Sequence, residues 1–126
     1  KYVAPAPLEE ALKLSPYIEQ CMIFGSNKVY NVALIVVATE ELEKYAQSEG
    51  LSGSTKELLE NPKIQSLFSS ELQANGEKFK GFEKPKKFKL LAEEWTVENG
   101  LLTPTMKLKR TIVEKQFAAA LESLYE

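Results

Sequence analysis

Six consecutive apolar residues, Val32-Ala33-Leu34-Ile35-Val36-Val37, run without polar alternation. A strand that is apolar on both sides has to be covered on both sides, which places it at the centre of a sheet with layers packed above and below. Extended to Ala38, the run is still far short of the roughly 20 residues needed to cross a bilayer. Upstream, residues 17–24 are also rich in β-branched and aromatic side chains, and Gly25-Ser26-Asn27-Lys28 is turn chemistry. Residues 17–24 and 29–37 are therefore expected to form an antiparallel hairpin.

The rest of the chain supplies cover for that sheet. Pro5 suits a first helical position, with Glu9 and Glu10 expected in the first turn and Leu8, Ala11 and Leu12 on one face. Thr39 is the expected cap of a second helix that opens with Glu40 and Glu41 and stops at Gly50. Ser54 or Thr55 begins a short helix, and Asn61-Pro62 starts another through Ile64, Leu67, Phe68 and Leu72, a face expected to run past Gly76 toward Phe79. Residues 111–126 repeat Val113, Phe117, Leu121 and Leu124 at helical spacing.

Two further stretches read as β-structure. Past Pro85, lysines alternate with apolar residues, so Lys87 and Lys89 should point opposite to Phe88 and Leu90. That strand is either a solvated edge guarded by lysines or a docking surface for an anion. Asn99-Gly100 is a short hairpin signal, with Trp95 and Val97 expected to pair with Leu101 or Leu102. The fold class expected is α+β: one domain over residues 1–126, with a small central sheet of about three strands plus a short hairpin, flanked by helices.

Composition removes several kinds of chemistry. Sixteen basic against eighteen acidic residues give a net charge of -2, which points to no nucleic-acid partner. With one cysteine, Cys21, and no histidine, the sequence has no internal disulfide, no Cys/His zinc set and no Cys/His or Ser/His catalytic pair. Cys21 reads as a buried hydrophobe, and a cytoplasmic, reducing setting is expected. The start at Lys1-Tyr2-Val3, without methionine, reads as the interior of a longer protein.

Asn99-Gly100-Leu101-Leu102-Thr103-Pro104-Thr105-Met106-Lys107-Leu108-Lys109-Arg110 sets a turn, a hydroxyl-rich loop and three cations ahead of an amphipathic segment. It resembles the last signature motif of the acyl-adenylate-forming enzymes, a Pro/Thr-rich loop leading to Lys, an aliphatic residue, any residue and Arg. The wording is similar to the long-chain acyl-CoA synthetase branch; most other branches carry Ser-Gly where this chain has Thr105-Met106. Pro5-x-x-Leu8-Glu9 matches the motif that follows the interdomain hinge in these enzymes.

The resemblance implies the small C-terminal domain of a long-chain fatty acid CoA ligase, with a large N-terminal AMP-binding domain as its partner and the hinge outside this chain. In the family that domain rotates between an adenylating and a thioester-forming orientation. Lys107 is then the catalytic adenylation lysine. Arg110 holds the loop against the terminal helix or the partner domain, or contacts substrate, and Lys87 and Lys89 are candidates for contacting ATP or CoA. Fatty acid, ATP and CoA are the implied substrates, with Mg²⁺ on the ATP, no cofactor on this domain alone, and any membrane association made through the missing part. The alternatives are an acyl-AMP ligase serving a carrier protein and a non-catalytic module that binds an anion or partner.

Overall fold

Strand β2 (Val32–Val37) is buried at every position and lies between β1 (Ile18–Phe24) and β3 (Lys87–Leu91) in a three-stranded sheet. The computed structural model describes residues 4–126; the reading of residues 1–3 as continuing an upstream segment lies outside them. β1 pairs antiparallel with β2, Cys21 opposite Ile35 and Phe24 opposite Val32, with an irregularity between Ile18 and Gln20. β3 pairs parallel with β2, Ala33 opposite Phe88 and Ile35 opposite Leu90. Parallel pairing requires a crossover, here built by α2 (Thr39–Ser48), α3 (Thr55–Glu60) and α4 (Pro62–Asn75). The architecture is α+β, with α1 (Pro5–Leu12) before the sheet and α5 (Arg110–Gln116) and α6 (Ala118–Ser123) after it.

The lack of alternation in β2 has a direct structural counterpart. Ala33, Ile35 and Val37 enter one core with Leu8, Leu12, Leu42, Ile64 and Phe68, whereas Val32, Leu34 and Val36 enter a second with Trp95, Leu101, Leu102, Val113 and Leu121. Burying one such aliphatic side chain contributes about 1.5–3 kcal/mol, so both layers draw on the same six residues. On β3, Phe88 and Leu90 face the first core, leaving Lys87 and Lys89 exposed as the alternation predicts.

Helix starts and stops differ locally from the sequence expectation. In α1 Pro5 stands at the start, but Glu9 and Glu10 lie beyond the first turn; Glu9 is buried. Ala38 precedes α2 without a side-chain cap, because the helix begins at Thr39 itself. Ser54 and Glu57 form a reciprocal capping box at α3, and Asn61 caps α4 by accepting from the Lys63 amide at 2.8 Å. Helix α4 stops at Asn75. Gly76 closes it, and Phe79 reaches the core from a turn, not from a continued helix. The closing helical segment is two helices meeting at Phe117 (φ -107°, ψ 25°), and its apolar face still packs into the second core.

The hairpin expected around Asn99-Gly100 does not form. Gln20 accepts from the Trp95 amide at 2.7 Å and donates to the Trp95 carbonyl at 2.8 Å, so both main-chain groups of Trp95 are already engaged. Asn99 meanwhile accepts from the Thr96 amide and donates to the Glu94 carbonyl, each at 2.9 Å, winding residues 96–102 into a compact turn. The short pairing lies one step later, as a bridge between Leu102 and Leu108.

The β1–β2 turn is braced from outside. Asn31 donates from its carboxamide to the Glu83 carbonyl at 2.9 Å, and its own carbonyl accepts from the Lys86 amide at 2.8 Å. A Cβ on Gly25 would stand 1.7 Å from Asn31 Oδ1. Gly25→Ala should therefore destabilise the chain by about 1–3 kcal/mol in denaturant titration. In an Asn31→Ala background the cost should shrink by about 1 kcal/mol; strictly additive costs would exclude this contact as the cause.

Candidate functional site

Residues 102–108 form a narrow hairpin organised by Thr103. Its amide donates to the Lys107 carbonyl at 2.7 Å, its carbonyl accepts from the Met106 amide at 2.7 Å, and its hydroxyl accepts from the Lys107 amide at 3.0 Å. Thr105 Oγ1 stands 3.1 Å from Thr103 Oγ1. A turn closed in this way and followed by a left-handed residue is a common three-residue hairpin loop, usually with glycine at the left-handed position. Here that position is Met106, at φ 68°. Met106 thus adopts a conformation that glycine takes at no steric cost.

The base of the hairpin is fixed from two sides. Leu101 and Leu102 are buried in the second core, and the Lys109 amide donates to the Leu101 carbonyl at 2.9 Å. Beyond Lys109, Arg110 opens α5 and meets Glu9 of α1. Its Nη1 donates to Glu9 Oε2 at 2.9 Å and its Nη2 to Oε1, a two-pronged pair across 101 residues. Glu9 Oε2 also accepts from the Ile23 amide at 2.7 Å. Hydrogen bonding to Glu9 raises the Arg110 pKa above its ordinary value, opposed by partial burial. Removing one partner of a fully buried pair costs about 3–5 kcal/mol; the Arg110 side chain is 35% exposed, so the cost here is smaller.

Lys107 is exposed, and its ammonium makes no ion pair or hydrogen bond among the described residues. It borders a cleft of about 620 Å³ shared with Glu9, Lys13, Gln20, Trp95 and Arg110. The structure thus brings Lys107 and Arg110 to one cleft. Lys87 and Lys89 lie elsewhere, on β3, where Lys87 Nζ donates to the Glu126 main-chain oxygen at 3.0 Å. Sequence reasoning passed over Thr103 as the organiser of the hairpin and Gln20 as the brace of Trp95. Neither has a periodic signal; each acts through side-chain bonds to main chain.

Chemically, the arrangement offers a cation, unpaired among the described residues, on a short, hydrogen-bonded hairpin beside a guanidinium already neutralised by a carboxylate. The only cysteine, Cys21, adds no nucleophile: it is buried, and burial, reinforced by Glu9, pushes its thiol up to about 12.

Residues 1–66 match the family model described as the AMP-binding enzyme C-terminal domain, and the chain belongs to that family. Over its whole length it is 34% identical to long chain acyl-CoA synthetase 6, peroxisomal, of Arabidopsis thaliana, covering 18% of that protein. It superposes on the adenylation domain of a carboxylate reductase from Mycobacterium chelonae with TM-score 0.81 at 30% identity, covering 99% of this chain and 18% of that one. With the A-PCP didomain of a carboxylic acid reductase from Segniliparus rugosus, solved with AMP, the TM-score is 0.80 at 27% identity, covering 99% and 16%. The chain spans about a fifth of the length of the curated relatives it matches.

Two measurements check this geometry. Because a non-glycine residue in the left-handed region is strained by roughly 1–2 kcal/mol, Met106→Gly should melt at or above the parent temperature. Met106→Val, β-branched at the same φ, should lower stability by more than about 1 kcal/mol; the reverse order would contradict the assigned backbone.

For Cys21 the sign follows from its raised pKa. The unfolded chain loses the thiol proton near about 8.5 and the folded chain near about 12. The thiol's contribution to stability is therefore complete below the unfolded value and declines as pH rises through this window. At pH 8 a thiol reagent should leave native Cys21 unmodified and label it promptly in denaturant; rapid native labelling would refute its burial.

Proposed function

We propose that this chain is the C-terminal domain of an AMP-forming long-chain fatty acid CoA ligase, and that it supplies Lys107 to the adenylation step. The observation that carries the reading is the Lys107 hairpin: an exposed ammonium with no partner among the described residues, held on a base fixed by Leu102, Lys109 and Arg110. The similarity to a long chain acyl-CoA synthetase along the full chain supports the same reading.

Activation of a fatty acid brings its carboxylate oxygen toward the α-phosphorus of ATP, and the two anions repel. A lysine ammonium is a compact charge with three donors on a flexible stem, so Lys107 can bind a carboxylate oxygen and a phosphate oxygen together as the new bond forms. Pyrophosphate leaves, and the CoA thiol then displaces AMP from the acyl-adenylate. The partner is the protein's own N-terminal AMP-binding domain, with fatty acid, ATP and CoA meeting at the interface and Mg²⁺ arriving on the ATP. Lys87 and Lys89, exposed on β3, suit a phosphate of CoA or ATP held against that strand.

Lys107→Ala in the parent enzyme should slow acyl-adenylate formation by about 10²- to 10³-fold. Conversion of supplied acyl-adenylate and CoA to acyl-CoA should stay within a few-fold of wild type, and Lys109→Ala should behave as wild type in both. Equal impairment by Lys109→Ala, or parallel loss of both half-reactions, would overturn the assignment. Product formation that requires a carrier protein and not CoA would replace the ligase reading with its acyl-AMP ligase alternative.

A further inference from the structure

We infer that Arg110 is a positioning residue for Lys107, acting through Glu9 and not through substrate. The inference rests on the reading of Lys107 as the adenylation lysine, but its structural half stands on the geometry alone.

Two residues, Leu108 and Lys109, separate Lys107 from Arg110, and over them the chain leaves the hairpin and enters α5. At that junction Lys109 precedes the helix with no side-chain cap, in a backbone conformation (φ -89°, ψ 82°) that is neither helix nor regular strand. On the other strand of the hairpin, Leu101 and Leu102 are anchored in the second core. On the Lys107 strand, the main chain is bonded back through the Leu102–Leu108 bridge and the Lys109 amide, but the side chains of Leu108 and Lys109 are only half-buried, and the first side chain to tie this strand to α1 is Arg110, through Glu9.

Glu9 is suited to be the fixed end of that grip. It is 6% exposed on α1 and bonded to the Ile23 amide of β1, so it cannot follow Arg110 if the helix shifts. Both carboxylate oxygens accept from Arg110, and two parallel hydrogen bonds fix orientation as well as distance. A single ammonium at the same place would preserve the charge and lose that orientation. Arg110 lines the Lys107 cleft and a second cleft beside the Gly25–Lys28 turn, yet its forked donors are turned onto the Glu9 carboxylate. One ion pair thereby holds the root of the Lys107 strand to α1 and β1.

The test is Arg110→Lys, which keeps the charge beside buried Glu9, measured alongside Arg110→Met/Glu9→Gln, which removes both charges. In the 126-residue chain, ¹⁵N relaxation of the amides of residues 103–109 reads the order of the hairpin without any substrate. In the parent enzyme, adenylate formation is measured with Lys107→Ala as reference. Positioning predicts lowered order at 106–109 in both variants and a roughly 10- to 100-fold fall in kcat for adenylation, with KM for ATP and fatty acid within about three-fold of wild type. Unchanged hairpin order together with a raised KM for ATP would overturn the inference in favour of direct substrate contact. Unchanged order and unchanged kcat would overturn it in favour of a purely stabilising ion pair. If Lys107→Ala itself leaves adenylation intact, the function assigned to Lys107 fails; lowered hairpin order in Arg110→Lys would still support the structural half, and unchanged order would overturn that as well.

Discussion

A carboxylate cannot sit in an apolar interior without donors, and Glu9 has three: the Ile23 amide and the two outer nitrogens of Arg110. None is local. One comes from the neighbouring strand and two from a residue 101 positions away, so the charge is satisfied only when α1, β1 and the start of α5 are all in place. Such a pair is weak evidence for net stability, since an apolar replacement of the same shape often serves as well. It bears more on specificity of arrangement, because two parallel bonds from one guanidinium to one carboxylate fix orientation as well as distance. The two helices it joins belong to opposite layers of the sheet, so the pair also ties the first core to the second around one edge.

What could be read in advance follows the range of the interactions involved. The β1–β2 hairpin, the double cover of β2 and the apolar faces of α1, α4 and the closing helices are set by side-chain period and nearby turn residues, and these are visible in any short window. The pairing of β3 with β2 is set by a crossover of three helices, and no window around Lys87 shows that β3 would run parallel. The Asn99-Gly100 signal pointed to a hairpin for a local reason and was overridden by a distant one: Gln20, 75 residues away, takes both main-chain groups of Trp95. At the site, the Lys107 motif was legible because its residues are contiguous. The role of Thr103 and the hold of Arg110 on Glu9 were not, although Glu9 and Arg110 each stood in a recognisable motif.

The second core has its own clasp, made largely by Tyr30 and Tyr125. Tyr125 Oη donates to the Tyr30 carbonyl at 2.8 Å and lies 3.3 Å from the Phe24 carbonyl, while Tyr30 Oη donates to the Leu124 carbonyl at 2.7 Å. These bonds join the segment after α6 to both arms of the β1–β2 turn, the same turn that Asn31 ties to Glu83 and Lys86. Their ring contacts add packing, with Tyr30 and Tyr125 centroids 4.9 Å apart. The break at Phe117 is part of this arrangement: Phe117 lies 6.3 Å from Trp95 at the junction of α5 and α6, and Val113 and Leu121 still reach the same core.

These restraints bear on the role proposed for Lys107, which asks a flexible side chain to act at a defined position. A lysine has four rotatable bonds and loses on the order of 2 kcal/mol of conformational freedom when fixed, so the backbone beneath it should contribute as little further uncertainty as it can. In residues 102–108 the main chain is pinned by Thr103, by the Leu102–Leu108 bridge and by the Lys109 amide, leaving the stem of Lys107 as the adjustable part. Met106 fits this division. A glycine in its place would relieve the strain of a positive φ but widen the conformations open to the residue just before the lysine, whereas a side chain there narrows them. The strain at Met106 and the buried charge at Glu9 are two local costs that end at the same few residues of backbone, and both restrict where the ammonium of Lys107 can go.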